Sequence, residues 1–508
     1  NMVFPVVGGT QDTSYEIENS LRTGGGDNHH LSMVYSSAAS DANRRKFTFS
    51  GWIKLGQAAH YSTTYANDRY LLASTDAAVS TTSIGYGYTA GDFHMQDGRS
   101  GTYIYTTTKF RDPSAWYHLV VKYDSTQGTA SDRIFIYVNG ESQPLAYSNS
   151  GDPEVDLNTA VDFFSAGDNI DATSADSGNF VHNVNSYYNS GFGAAAGDFD
   201  GYFADWYLLD GQASAPTEFA ETNDNGVWVP KKYTGTFNSH SFHLEFKQTG
   251  SSANSSGIGA DTSGQDNHFK VGVNSTLAAV DVTTDTPTNN FATLNPLSAG
   301  SDMRANGSFK EGNCELVNGG TGGEANGQKC SGTIGFANGK WYWEVKLISN
   351  TMTAGIVDSS ISTTSDINLG SKNAVTYDSE TGIIANIDGN VQGETVSSQY
   401  DDNDIIGVAV DADNGAVYFS KNGTYQNSGN PASGASKTGG ASFTLGNQML
   451  PLAADNSSAS AGNHQYNFGN APFSISSGNT DANGYGNFEY SVPSGYYALC
   501  TKNLAEYG

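Results

Sequence analysis

With 508 residues, the chain exceeds the roughly 250–300 at which single cores stop growing, so it is expected to fold as two domains with connecting arms. Its 60 Gly, 29 Tyr and 25 Phe fall in short apolar runs separated by turn residues, and no run longer than about a dozen residues keeps helical spacing, which predicts an all-β fold. Lys plus Arg is 24 against Asp plus Glu 52; the formal charge of −28 repels phosphate backbones and anionic lipid, so neither nucleic acid nor a membrane surface is an expected partner, and it equally suits a soluble surface in salty surroundings.

Residues 1–25 read as an N-terminal arm. Its opening, Met2-Val3-Phe4-Pro5-Val6-Val7-Gly8, lacks the basic region and apolar core of a signal peptide, so export is not expected to be encoded here. Val3, Phe4, Val6, Val7, Tyr15 and Ile17 are too few for a core of their own. They gain by burial against a neighbouring subunit or particle component, or they form the first strand of the domain that follows.

A first sandwich is expected over 26–248. Phe47-Thr48-Phe49-Ser50-Gly51-Trp52-Ile53-Lys54 places aromatic residues at every second position until Gly51 shifts the phase, the pattern of a half-buried strand. Further strands are read at Tyr70–Ala73, Trp116–Tyr123 and Arg133–Val138, the last ending in Asn139-Gly140, whose readiness for positive φ suits a tight hairpin. Phe199–Gly211 and the alternating Ser241–Phe246 complete the series. Residues 249–289 are rich in Ser, Gly, Asn and Pro and read as a linker or surface arm.

The second domain is placed at 290–508, with a short C-terminal tail. In Gly339–Lys346, Trp341, Trp343 and Val345 share one strand face, and Tyr342, Glu344 and Lys346 the other. Asp404–Gly423 reads as two strands around a tight turn, closed by Asn422-Gly423. Asp411, Asp413 and Asn414 sit in that turn, and turn formation accounts for them without a ligand. No run reaches the roughly 18–20 apolar residues of a membrane-spanning helix. Cys314, Cys330 and Cys500 are too few for a disulfide framework; a bridge between Cys314 and Cys330 could close the loop between them, while packing alone also explains them.

The Trp52 strand, the Trp116-Tyr117-His118 strand, the Ile136–Gly140 hairpin and the Gly201–Trp206 strand together resemble laminin-G-like, concanavalin A-like sandwiches over roughly 15–248. Gly339–Lys346, Asp404–Gly423 and Gln465–Gly469 resemble the SPRY family, whose members are bent β-sandwiches that bind partners through loops. The resemblances imply two jelly-roll-type antiparallel sandwiches in tandem. Joined by a linker ending in Asp285–Leu297, and preceded by Ser14–Arg22, they look like fibre or adhesin proteins of marine bacteriophages. That likeness implies a non-enzymatic virion protein, assembled in the host cytoplasm and exposed on the particle, as a homo-oligomer, most simply a trimer. Its partners would be a host surface glycan or protein, and other virion proteins through the N-terminal arm.

Two readings from other classes stay open, a carbohydrate-active enzyme of concanavalin-like fold and a cellular or secreted binding module. Against the first, the string nearest to the Glu-x-Asp-x-x-Glu of such glycosidases is Glu154-Val155-Asp156-Leu157-Asn158-Thr159, where Thr159 replaces the second carboxyl and cannot serve as a tuned acid. No nucleophile elbow, metalloprotease helix or phosphate loop is present, so no catalytic residue is expected. Asp168, Asn169, Asp171 and Asp176 offer hard oxygen ligands for calcium, or a solvated polar loop. Tyr86, Tyr88, Tyr103, Tyr105, Tyr187 and Tyr188 are candidates for stacking on sugar rings, or half-buried strand residues.

Overall fold

The structure, a computed structural model, describes residues 15–24, 28–56, 68–76, 81–87, 91–97, 102–147, 155–167, 180–189, 194–300, 303, 307–317, 329–360, 373–387, 391–454 and 462–508. Among the described residues strands account for 42% and helix for 8%, an all-β fold as the sequence implies. No helix of the described residues is long and apolar enough to cross a membrane. The chain divides into compact units at Thr288/Asn289.

In the first unit, one sheet runs in the order Glu141–Ser142, Ile134–Val138, Trp116–Asp124, Lys46–Leu55, Gly201–Asp210, Ser20–Thr23, Val282–Thr283, with Phe242–Leu244 added against Gly201–Asp210. The other runs Leu145–Tyr147, Thr102–Thr106, Asp92–Asp97, Thr81–Gly87, Asp68–Thr75, Val181–Val184, Leu31–Met33, Lys270–Val271. One apolar core draws Phe47, Phe49, Ile53, Leu119 and Val121 from the first sheet and Leu72, Ile84, Phe93, Met95 and Ile104 from the second, so the sheets face each other across it.

The phase shift at Gly51 has a structural partner. The Gly201–Asp210 strand bulges between Ala204 and Tyr207, and Asp205 there takes φ 54°. The bulge turns Trp206 into the core against Gly51, where a β-carbon would lie 2.5 Å from the indole. At the hairpin, Asn139 and Gly140 take φ of 51° and 81°, the positive pair expected there.

The described residues of the segment read as an arm, 15–24, and the segment read as a linker are built into this unit. Ser20–Thr23 pairs with Gly201–Phe203 on one side and with Val282–Thr283 on the other, while Lys270–Val271 extends the second sheet beside Leu31–Met33. Of the sparse apolar residues of 249–289, Ile258, Phe269 and Leu277 are buried in the core. Buried polar bonds fasten the same stretch, for Lys54 Nζ lies 2.7 Å from Asp285 Oδ2 and Trp116 Nε1 donates to Asp285 Oδ1 at 3.2 Å. Strands of two residues are too short to show a period, so composition alone reads as linker.

The second unit has a nine-stranded sheet in the order Ser308–Lys310, Glu315–Val317, Asn463–Asn467, Lys340–Ser349, Ile405–Asp411, Ala416–Lys421, Thr424–Tyr425, with Ala441–Ser442 and Tyr497–Ala498 attached to its inner strands. A six-stranded sheet faces it: Lys329–Ser331, Met449–Ala454, Thr353–Asp358, Ala374–Asp378, Ile383–Ile387, Val391–Val396. Trp341, Trp343, Val345, Val408, Val410 and Phe419 meet Ala354, Ile356, Val375, Tyr377 and Ala453 in the core between them. Cys314, Cys330 and Cys500 are buried as thiols, and no bridge joins Cys314 to Cys330.

Candidate interaction site

Within the second unit, the Ala416–Lys421 strand leads into an exposed excursion, 422–440, that returns at Ala441–Ser442. It begins at Asn422-Gly423, with φ of 49° and 78°; Asn422 Oδ1 accepts from Ile405 N at 2.9 Å and Asn422 Nδ2 donates to Asp404 Oδ1 at 2.6 Å. Asn427, Ser428 and Lys437 are also left-handed, each at a cost in backbone energy that surrounding contacts must offset. Those contacts are present. Ser397 Oγ donates to Asn427 Oδ1 at 3.0 Å, Ser398 N to Gln426 Oε1 at 3.3 Å, and Thr438 N to Ser433 Oγ at 2.9 Å. The Tyr496 hydroxyl holds Pro431 O at 3.0 Å. The loop is therefore polar, exposed and held in one shape, which lowers the ordering cost of binding a partner.

Behind this loop, the strand face carrying Tyr342 and Glu344 is not solvated. The chain end folds back over it, packing Phe488, Tyr496, Ala498 and Cys500 on Tyr342, Ala409 and Tyr418. Burial pushes the Glu344 carboxyl up, opposed by hydrogen bonds from Glu489 N at 2.9 Å, Tyr490 N at 2.8 Å, the Tyr342 hydroxyl at 3.1 Å and Asn467 Nδ2 at 3.2 Å. A buried carboxylate receiving four donors fastens the returning segment to the sheet. Alternation had marked Glu344 only as facing away from the core. In the adjoining turn, Asp411 accepts from Asn414 N at 3.0 Å and Asn414 Nδ2 at 2.9 Å, and Asp413 Oδ1 from Gly339 N at 2.8 Å, so these carboxylates build the turn.

The candidates in the first unit separate. Tyr86 is buried in the core, with its hydroxyl donating to Phe110 O at 2.6 Å, so it is not a sugar-facing residue. Tyr103 and Tyr105 are half-exposed, alternate on one strand, and have ring centroids 5.6 Å apart. Tyr187 and Tyr188 lie in a strand paired with Ala194–Ala196, their side chains outside the described residues. Tyr88, and the calcium candidates Asp168, Asn169, Asp171 and Asp176, lie outside the described residues. Glu154 does too, while Asp156 is exposed in a turn beside Asn158 at φ 62° rather than on a strand. Among the described residues no cluster of His, Cys, Asp and Glu is arranged to hold a metal ion.

Sequence reasoning passed over a third cluster. Asp205, aimed by its bulge, accepts from the Tyr15 hydroxyl at 3.1 Å and the Tyr207 hydroxyl at 3.1 Å, and lies 2.6 Å from His243 Nε2. The His243 ring stacks on Tyr207 at 4.0 Å, and the group ties the chain's start to the first sheet. Only the acidic residue inside an aromatic strand could have signalled it.

The core strands of the second unit and the 422–440 loop coincide with a recognisable domain, for residues 340–440 match the SPRY domain family. This stretch is a SPRY domain. Similar solved structures include the SPRY domain of human HERC1 (16% identity over 34% of this chain and 96% of that one, TM-score 0.26) and the TRIM65 PSpry domain (11%, 35% and 89%, TM-score 0.26). A further human SPRY domain is 16% identical over 30% of this chain and 90% of its own, with TM-score 0.22. No curated protein sequence matches the chain. SPRY domains are protein-interaction modules, and no enzyme family is indicated.

Proposed function

We propose that the chain is a non-enzymatic adhesion protein of a virion surface, a tail or head fibre whose SPRY domain grips a host surface protein through the 422–440 loop. The observation that carries this reading is the loop itself: inside the SPRY match, an exposed polar excursion keeps several strained residues in one conformation by hydrogen bonds to its neighbours. The virion assignment rests on the resemblance of the laminin-G-like and SPRY-like order to phage fibre proteins. A trimer would let weak contacts act together on a repeated receptor.

Binding of the labelled full chain to host cells tests the receptor class. Prior digestion of the cells with proteinase K, or the double substitution Gln426→Arg and Ser436→Arg, is expected to reduce binding by about tenfold or more. Binding insensitive to both would overturn the SPRY reading. Peptide identification from purified virions tests the location, and absence from all of them removes the virion assignment. Light scattering that gives a monomeric mass for the full chain removes the trimer.

A further inference from the structure

The 422–440 loop rests on a second layer of its own unit. Cross-strand pairing sets Tyr342 beside Ala409 and Ala409 beside Tyr418, with Glu344, Gly407 and Ser420 in the neighbouring row. Trp341, Trp343, Val408 and Phe419 face the core, so these residues share the outer face of the nine-stranded sheet. Residues 488–500 cover that face: Phe488, Tyr496, Ala498 and Cys500 are buried against it, and the Phe488 ring meets Tyr342 edge-on at 5.1 Å.

Tyrosines join this cover to the loop. At the loop's entry the Tyr490 ring lies on Gly423, where a β-carbon would stand 2.6 Å from its Cδ1. At the loop's middle the Tyr496 hydroxyl donates to the Pro431 carbonyl at 3.0 Å, and both residues are buried. Tyr418, from the sheet itself, holds its hydroxyl 3.1 Å from Ser433 Oγ and its ring beside Gly440, where a β-carbon would stand 2.7 Å from Cε1. Tyr425 of the loop packs into the same aromatic cluster.

The loop's own hydrogen bonds close its tip on itself. Asn430 N donates to Thr438 O at 2.9 Å, Ser433 N to Asn430 O at 2.9 Å and Gly440 N to Lys437 O at 2.9 Å. Such bonds set the shape of the tip, whereas its place on the sheet depends on contacts from outside: Ser397 and Ser398 at Asn427 and Gln426, Tyr418 at Ser433, and the two tyrosines of 488–500. Left-handed residues such as Asn427 and Lys437 persist only where their surroundings over-determine them.

We propose that residues 488–500 are a strap that positions the 422–440 loop, with Tyr490 and Tyr496 as the positioning residues and Glu344 as the anchor that fastens the strap to the sheet. Glu344 accepts from Glu489 N at 2.9 Å and from Tyr490 N at 2.8 Å, so the anchor lies at the residue whose ring meets Gly423. Loosening the strap frees the loop while the two facing sheets stay packed. The consequence for binding rests on the reading of the loop given above; the coupling of strap to loop does not.

The test is hydrogen exchange of the full chain, read by mass spectrometry on peptides covering 426–440 and, as the reference, Thr353–Asp358 in the opposite sheet. Tyr496→Phe keeps the buried ring and removes only the hydroxyl; it should speed exchange in 426–440 about fivefold, the factor one buried hydrogen bond is worth, and leave the reference strand unchanged. Tyr490→Ala, at a half-buried position, serves as the second variant and should act in the same direction. Exchange in 426–440 unaltered in both variants, or speeded equally in the reference strand, would overturn the inference. Binding of the same variants to host cells should fall about threefold or more, although Tyr496 is buried and touches no partner. Binding that falls with Gln426→Arg and Ser436→Arg but not with Tyr496→Phe would overturn the positioning role, whereas binding insensitive to all of them, with loop exchange speeded as expected, would uphold the strap and remove the reading of the loop.

Discussion

Substituting Asp285→Ala asks whether the Ser- and Asn-rich stretch before residue 289 is structural. Its carboxylate is 2% exposed and its ion-pair partner Lys54 wholly buried, so the substitution takes the Asp285 charge from an enclosed ammonium and the Asp285 oxygen from Trp116 Nε1. Removing one partner of a buried pair costs about 3–5 kcal/mol, and about 2–4 °C per kcal/mol in a unit of this size gives a fall of roughly 6–20 °C in Tm. Differential scanning calorimetry of the full chain should show this fall in the transition of the first unit only. The compensating pair Lys54→Met with Asp285→Leu, which leaves no buried charge, should recover most of it. A fall below about 1 kcal/mol, the range of exposed pairs, would refute the burial argument, because a solvated linker would behave that way.

Acid should act on the same unit through its histidines. Burial holds His118 down to about 3 and His182 to about 4, so the unfolded chain takes up protons near pH 6.5 that the folded one refuses. Their contribution is full above pH 6.5 and is lost as pH falls toward 3, partly offset by His240, which its Asp210 bond raises; urea titrations at stepped pH should show a shallower loss in His118→Gln. Glu344→Gln would turn an amide NH2 toward one of the two backbone donors, Glu489 N or Tyr490 N. It should destabilise the second unit by about 1–3 kcal/mol and speed hydrogen exchange across 486–498; unchanged exchange would count against the strap. The fragment 289–508 should fold alone, since Ala292 N bonds Leu499 O and Asn290 N the Thr501 hydroxyl within it; a flat circular dichroism melt would contradict that. Asp156→Asn, in an exposed turn, should leave stability within about 0.5 kcal/mol, and loss of a polysaccharide-cleaving activity would reopen the enzymatic reading.

The strongly periodic strands were legible because each has enough residues to display its period. Trp341-Tyr342-Trp343-Glu344-Val345 and Phe47-Thr48-Phe49 sort their side chains between core and outer face as alternation requires, and Asn139-Gly140 and Asn422-Gly423 take the positive φ angles their residue types favour. These local rules act within a few residues, so the amino-acid order by itself determined the all-β class, the main hairpins and the SPRY stretch.

Tertiary structure decided what depends on partners far away in the chain. Ser20–Thr23 becomes a strand only because Gly201–Phe203 and Val282–Thr283 flank it, and Asp285 is part of a buried network only because Lys54 stands 231 residues away. Likewise the outer face of the SPRY sheet is wet or dry according to whether the chain end folds over Tyr342 and Glu344, which alternation cannot say. Tyr86 and Tyr105 look alike in sequence, yet one packs into the core and the other stays at the surface. The physical reason is common to all of them: periodicity records that a residue has two sides, while burial and charge pairing depend on which distant segment arrives to cover one of them.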